Sequence, residues 1–518
     1  MSGPVPTVVN QTGGAPSPTP PAGRSLTHRT ASGFAWMTLF QIARQLLQVA
    51  SVSILARKVP PSAYGLVGMA VLLTSFLEML RDAGTGYALI REREVSDELA
   101  STVFWLTCGL GLAFALIIVA LAAPTARFFH EPLVAPILCW LAVGFLAGAI
   151  SAVPLAMLNR AMAFRQVAVA QTIGAVAGTL VAIAIALAGG KVWSLVAGSV
   201  VGSAVTAIAI FLASSMRIRL LFRPSDARHI VSFGLNLSGV NLLNYFSRNT
   251  DNLLVGKFLG SVPLGFYQMG YMLMTYPIYN FASVVAQVVY PGLSKIHDDR
   301  ERFCEVYVRM CRLIALLTFP VMLGLAVTAQ PFVRVFLSAR WLPVAGLLII
   351  FAPLGAVQSI YTTVALIYNT KGRPDIQLKW VMFTSVMYVG SFVVGLRWGI
   401  LGVAGCYAVV WMLLMPPSFL IPFRLVGLSG TRLFSSLWPT IWMSLVMAGL
   451  SEAWLRMLQR LGSSNALLDL LSTVLIGAAS YALLLLWRRP QVMSDLATIL
   501  EGAPYSSARK VAEFLNRD

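Results

Sequence analysis

The chain has 518 residues, 58% of them hydrophobic and only 11% charged, with a mean hydropathy of +0.77. Soluble domains carry about 25% charged residues, so this composition excludes a soluble globular protein and defines a polytopic membrane protein. A net charge of +18 would suggest nucleic acid as the partner of a soluble chain, but here its distribution follows topology, and no nucleic acid is expected.

Residues 1–23 are rich in Pro, Gly, Ser and Thr and carry no charge, so a disordered segment is expected over 1–30. No charged stretch precedes a short apolar core there, so the segment does not read as a cleaved signal peptide. Fourteen apolar spans follow, at about 31–55, 64–81, 101–123, 133–157, 166–188, 193–214, 233–256, 264–291, 311–328, 344–369, 378–396, 399–422, 433–454 and 466–487. They group into a six-helix bundle over 31–214, a cytoplasmic linker at 215–232, a second six-helix bundle over 233–422 and two extra helices over 433–487, with a tail at 488–518. The longest outer loop, around 329–343, holds no carboxylate. The expected fold is therefore all-α, two pseudo-symmetric six-helix bundles with two C-terminal transmembrane helices.

When the N-terminus and every second loop are placed on one side, that side holds 26 of the 38 Lys and Arg residues and the other holds 10. The excess puts both termini in the cytoplasm. The remaining two, Arg44 and Arg248, lie inside spans.

The span containing Arg248 also carries Asn241, Asn244, Asp251 and Asn252. At 100° per residue these five share an arc of about 100°. An arginine at mid-membrane costs roughly 2.5–3.5 kcal/mol on insertion scales and persists only with a partner or beside water. Shifting the chain by 200 residues lays Gln41, Arg44, Gln48 and Ser51 on Asn241, Asn244, Arg248 and Asp251, and Arg57, Gly65, Met69 and Leu73 on Lys257, Gly265, Met269 and Leu273. This pattern reads as an internal duplication of six spans, related by an axis along the membrane normal. Two such bundles enclose a cleft. Arg44 and Arg248 would line it from opposite sides, a setting suited to phosphate oxygens. The local alternatives are an i,i+3 pair of Arg248 with Asp251, and Glu78 or Asp82 as partners of Arg44.

Polar stripes continue the cavity reading. Tyr271 lies on span 8, where Pro277 should kink or break the helix, and Gln358 and Tyr361 lie on span 10. Flat apolar faces with hydrogen-bonding edges suit a sugar, though interfacial tyrosines and interhelical bonds also use such residues. Asp251 and Glu78 are the ion-coupling candidates. Gly174 and Gly178 read as a small-residue helix contact.

The five cysteines, Cys108, Cys139, Cys304, Cys311 and Cys406, form no CxxC pair. They read as core residues or free thiols. No phosphate-binding loop or zinc motif is present, so no metal, resident cofactor or ATPase activity is expected.

Several stretches resemble the Wzx-type lipid-linked oligosaccharide flippases of the MOP superfamily, in the colanic-acid and exopolysaccharide exporter branch. They are Ala56–Leu66, Arg81–Gly84, Asn159–Arg165, Gly190–Val196, Ser247–Lys257, Leu264–Tyr267 and Tyr290–Ser294. The resemblance implies a bilobed bundle in the bacterial inner membrane that carries an undecaprenyl-pyrophosphate-linked oligosaccharide to the periplasmic leaflet. It further implies alternating access, coupling to Na+ or H+ without ATP, and cavity arginines on the pyrophosphate or acidic sugars. The partners it implies are the lipid-linked oligosaccharide, membrane lipids, glycosyltransferases and a polysaccharide polymerase. The alternatives are a cation-coupled small-molecule antiporter of the same superfamily and a membrane glycan polymerase or ligase.

Overall fold

The computed structural model describes residues 47–82, 96–214, 248–282, 298–462 and 465–488, with single positions between them. These residues are helical throughout, apart from turns. Helix α1 covers 47–58 and α2 Pro61–Asp82. They are followed by α3 (Asp97–Phe129), α4 (Val134–Arg160), α5 (Phe164–Leu187) and α6 (Val192–Ala213). Helix α7 covers 248–259, α8 Ser261–Pro277, α9 Arg300–Val327, α10 Ala329–Phe336, α11 Pro343–Tyr361 and α12 Val364–Thr370. The last four are α13 (Pro374–Gly395), α14 (Gly399–Val426), α15 (Gly430–Arg460) and α16 (Ala466–Arg488).

Ten runs among the described residues are long and apolar enough to cross a membrane, and one of them, Pro374–Val426, contains two of the expected spans. The first, seventh and eighth expected spans lie partly outside the described residues, as do the N-terminal segment, most of the linker and the tail beyond 488. Large apolar side chains such as Leu212 (78% exposed) and Leu475 (68%) stand on the outer surface. That placement is favourable only against lipid, and the protein is a multi-pass membrane protein.

Helix ends overrun the apolar runs. Helix α3 is about 50 Å long at 1.5 Å per residue, against about 30 Å of hydrocarbon. It begins where Ser96 accepts the Leu99 amide at 3.2 Å and ends where His130 adopts a left-handed conformation, φ 58°. Asp299 caps α9 by accepting the Arg302 amide at 3.1 Å, so α9 starts well before its apolar stretch. Hydropathy marks membrane depth, whereas caps mark helix length.

Breaks have local causes. Helix α8 ends at Pro277 and continues as a π-turn over Ile278–Ala282, as expected for a proline that cannot donate to the ladder. The tenth expected span is split between α11 and α12. There the hydroxyls of Ser359, Thr362 and Thr363 donate to the carbonyls of Ala356, Ser359 and Ile360 at 2.6–2.7 Å. Such side-chain bonds compete with the helix ladder.

Small residues set the closest helix contacts. A Cβ on Gly174 would lie 1.8 Å from Thr206 Oγ1, and one on Gly178 2.5 Å from the Gly198 carbonyl oxygen, so α5 and α6 touch through this stripe. The α2–α8 contact is as close, and it is made against backbone. A Cβ on Gly65 would lie 1.8 Å from the Ser261 carbonyl oxygen, and one on Gly265 2.0 Å from that of Pro61. These contacts are reciprocal at the 200-residue offset. A Cβ on Gly68 would meet the side chain of Gln268, again at that offset.

Helix ends complete the seam. Arg57 donates to the carbonyl of Val335 at the end of α10, and Lys257 to that of Phe128 at the end of α3. Trp341 is fully buried, and its Nε1 donates to the Ala56 carbonyl at 2.8 Å. The stretch around 329–343, expected as a simple outer loop, is thus a helix and a short 3-10 turn that packs against α1. The largest core cluster joins Leu55, Met69 and Phe145 to Leu264, Phe351 and Val403, across both groups of helices. Helices α15 and α16 dock on α9, where Tyr481 Oη donates to the Leu316 carbonyl at 3.1 Å. All five cysteines are free thiols.

Gly65→Ala forces the α2 and α8 backbones apart and is expected to cost about 1–3 kcal/mol, read as a lower thermal midpoint of the detergent-solubilised protein. Gly109→Ala, whose Cβ meets nothing within 4 Å, should not lower it. Equal midpoints would contradict the seam.

Candidate functional site

Helices α7, α8, α11, α13 and α14 bring a set of polar side chains together. Asp251 on α7 is 5% exposed and accepts a hydrogen bond from Tyr267 Oη on α8 at 3.0 Å. Its charge is felt at Tyr407 on α14, which in turn lies within electrostatic range of Tyr271 and Tyr388. Gln358 on α11 donates from Nε2 to Tyr407 Oη at 3.0 Å. Phe351 meets the rings of both Tyr267 and Tyr271 edge-on, with centroids 5.5 and 6.0 Å away. Tyr361 stands edge-on to Trp411 and Phe419 at 6.1 and 5.9 Å.

Arg248 is exposed, and its charge reaches the Tyr361 hydroxyl on α11. Among the described residues no ion pair joins Arg248 to Asp251, so the local i,i+3 pair is not formed. The expectation that Arg248 faces Arg44 lies outside the described residues, because Arg44 does, along with Gln41, Asn241 and Asn244. What is described is an exposed arginine on α7, one turn before the buried Asp251.

The predicted residues fall into three places. Arg248, Asp251, Tyr271, Gln358 and Tyr361 share the cluster just described. Gln48 instead lines a cavity of about 580 Å³ between α1, α5 and α6, with Ser51, Gln171, Thr179, Ser199, Ser203 and Thr206 as its other polar walls. Glu78 is exposed on α2 and acts electrostatically on Tyr245, apart from Asp251. The structure does not bring the two ion-coupling candidates together.

Sequence reasoning missed Tyr267, Tyr388 and Tyr407. Tyr407 had one signal, as a lone phenol in a strongly apolar run. It also counted Arg81 among the loop cations that set topology. Arg81 is in fact 5% exposed, donating from Nη1 to the Phe145 carbonyl at 2.8 Å with its guanidinium 4.6 Å from that ring. A Cβ on Gly148 would come within 2.9 Å of the same Nη1, so that glycine leaves room for it.

Chemically, the cluster offers one exposed guanidinium, tyrosine faces, amide edges and one buried carboxylate. This is a surface for binding a polar or anionic group, with a separate anionic position behind it. Fold and cluster together define a multi-pass membrane protein with polar side chains gathered among its helices.

Comparison with known proteins agrees. Residues 54–346 match the family described as "Polysaccharide biosynthesis protein", more than half of the chain, and the chain belongs to that family. It is 23% identical over 429 residues to the lipopolysaccharide biosynthesis protein WzxC of Escherichia coli (strain K12), covering 81% of this chain and 86% of that one. It is 25% identical over 462 residues to the succinoglycan biosynthesis transport protein ExoT of Rhizobium meliloti (strain 1021), covering 87% and 91%. Its fold resembles that of the lipid II flippase MurJ in an inward closed conformation, with a TM-score of 0.73 and 17% identity over 88% of this chain and 99% of that one.

Tyr267→Phe leaves the Asp251 carboxyl buried without its hydroxyl donor and should cost about 1–3 kcal/mol of stability. In an Asp251→Ala background the same change should cost much less. Strictly additive losses in this double-mutant cycle would contradict the pairing.

Proposed function

We propose that the protein is a flippase rather than an enzyme. It carries an undecaprenyl-pyrophosphate-linked oligosaccharide from the cytoplasmic to the periplasmic leaflet of the bacterial inner membrane, for export of a surface polysaccharide. Family membership, the roles carried in the names of WzxC and ExoT, and the fold shared with a lipid II flippase support this reading. The observation that carries it is Arg248, exposed on a membrane helix within electrostatic reach of Tyr361. A guanidinium kept there at a cost of a few kcal/mol needs an anionic visitor, and pyrophosphate suits its planar fork.

In this reading the chain has two pseudo-symmetric halves, 31–214 and 233–422, with both termini cytoplasmic. The halves part alternately on either side. Arg44 and Arg248 hold the pyrophosphate. Gln41, Gln48, Asn241, Asn244, Tyr271, Gln358 and Tyr361 face the sugars. Asp251 takes the coupling ion, Na+ or H+, because it is buried with a hydroxyl donor and no cation paired to it among the described residues. Glycosyltransferases supply the lipid-linked unit and a polysaccharide polymerase consumes it.

In a deletion strain, Arg248→Ala should restore polysaccharide export about tenfold less well than the unaltered chain, the worth of one charge-assisted contact. Arg248→Lys should restore it only in part. Full export with Arg248→Ala would refute the site. Normal export in the deletion strain itself, with altered susceptibility to cationic drugs, would favour a cation-coupled antiporter.

A further inference from the structure

A second cavity, of about 500 Å³, lies away from the cluster at Asp251, where α2 and α3 meet the region of Tyr245 and α7. Its apolar walls include Met69, Leu73 and Phe76 from α2, Pro124 and Phe128 from α3, and Leu253 from α7. Tyr245 closes its inner end by donating to the Leu72 carbonyl and packing on Phe76 at 5.6 Å. Phe128 is 44% exposed, so the groove opens on the outer surface of the bundle.

Two features identify what fills it. The first is depth. The α2 wall runs from Met69 to Phe76, about 12 to 22 Å from the start of that helix at 1.5 Å per residue. That stretch lies within one leaflet with its headgroup zone, half of about 40–45 Å. The second is charge at the mouth. Lys257 Nζ sits 4.6 Å from the centroid of the Phe128 ring and 3.5 Å from His130 Nδ1. The groove is mostly apolar, with Thr125, Asn249 and Thr250 as polar interruptions, and Lys257 stands at the rim on the arginine-poor side of the membrane.

We infer that this groove binds one anionic glycerophospholipid of the surrounding bilayer, with an acyl chain between α2, α3 and α7 and the phosphate at Lys257 and His130. Its volume falls in the range of ordinary ligand pockets, about 300–1,000 Å³. The bound chain touches both groups of helices beside the α2–α8 seam. The lipid is therefore part of the closed seam and need not be the transported molecule.

The test uses the full chain, washed in detergent and examined by native mass spectrometry with dioleoyl-phosphatidylglycerol or dioleoyl-phosphatidylcholine. The unaltered protein should retain one phosphatidylglycerol, preferred about tenfold over phosphatidylcholine, the scale of one charge-assisted contact. Lys257→Gln should abolish the preference, and Leu73→Trp, which fills the groove, should abolish retention. Phosphatidylglycerol with a photoreactive acyl chain should label peptides of α2 and α3 in the unaltered protein, which keeps the test decisive if Leu73→Trp does not fold. Retention unchanged by Leu73→Trp, equal binding of the two lipids, labelling elsewhere, or displacement by undecaprenyl phosphate would each overturn the inference. Export by the same variants reads the transport function separately.

Discussion

Helices in a membrane gain nothing from burying apolar surface against one another, since lipid is equally apolar. They must associate through close backbone contact and hydrogen bonds. The approach of α2 to α8 supplies the first, with Gly65 against Ser261 and Gly265 against Pro61. Helix termini supply the second. The last carbonyls of a helix have no partner within it, and the ends of α1, α3 and α10 accept bonds from Trp341, Lys257 and Arg57. Cations at helix C-termini also complement the helix dipole. Among the described residues, these contacts carry no buried ion pair.

That arrangement bears on function. A seam of glycine contacts and carbonyl acceptors can separate without stranding charges in hydrocarbon. The polar cluster lies on α7, α8, α11, α13 and α14, where Asp251 is held by Tyr267 and Arg248 is exposed. Under the proposed function, a ligand at Arg248 would sit on α7, the helix that also carries Lys257 to the end of α3.

Much of this was legible in the sequence. The 200-residue offset paired Gly65 with Gly265, whose contacts are reciprocal, and Arg57 with Lys257, each of which donates to a carbonyl near a helix end. Pro277 ends its helix, and Gly174 and Gly178 pack on α6. The reason is that glycine, proline and charge act locally or at a helix crossing, and their spacing survives in one dimension. The tyrosines around Asp251 were less legible. Tyr267, Tyr388 and Tyr407 converge from three helices far apart in the chain, and a phenol in an apolar span looks the same whether it faces lipid, core or cavity. The break between α11 and α12 arises from a short run of hydroxyls that hydropathy counts as nearly neutral. Trp341 was hidden because its loop packs back on α1.

The central claim is that transport requires the α2–α8 seam to part. A Gly68→Cys/Gln268→Cys pair, in a background with the five native cysteines replaced, places two thiols across that seam. The measurement is translocation of a fluorescent polyprenyl-pyrophosphate oligosaccharide in proteoliposomes, with the pair oxidised and then reduced. The account predicts that oxidation brings translocation down to the protein-free rate and that reductant restores it. Undiminished translocation with the disulfide formed would contradict it.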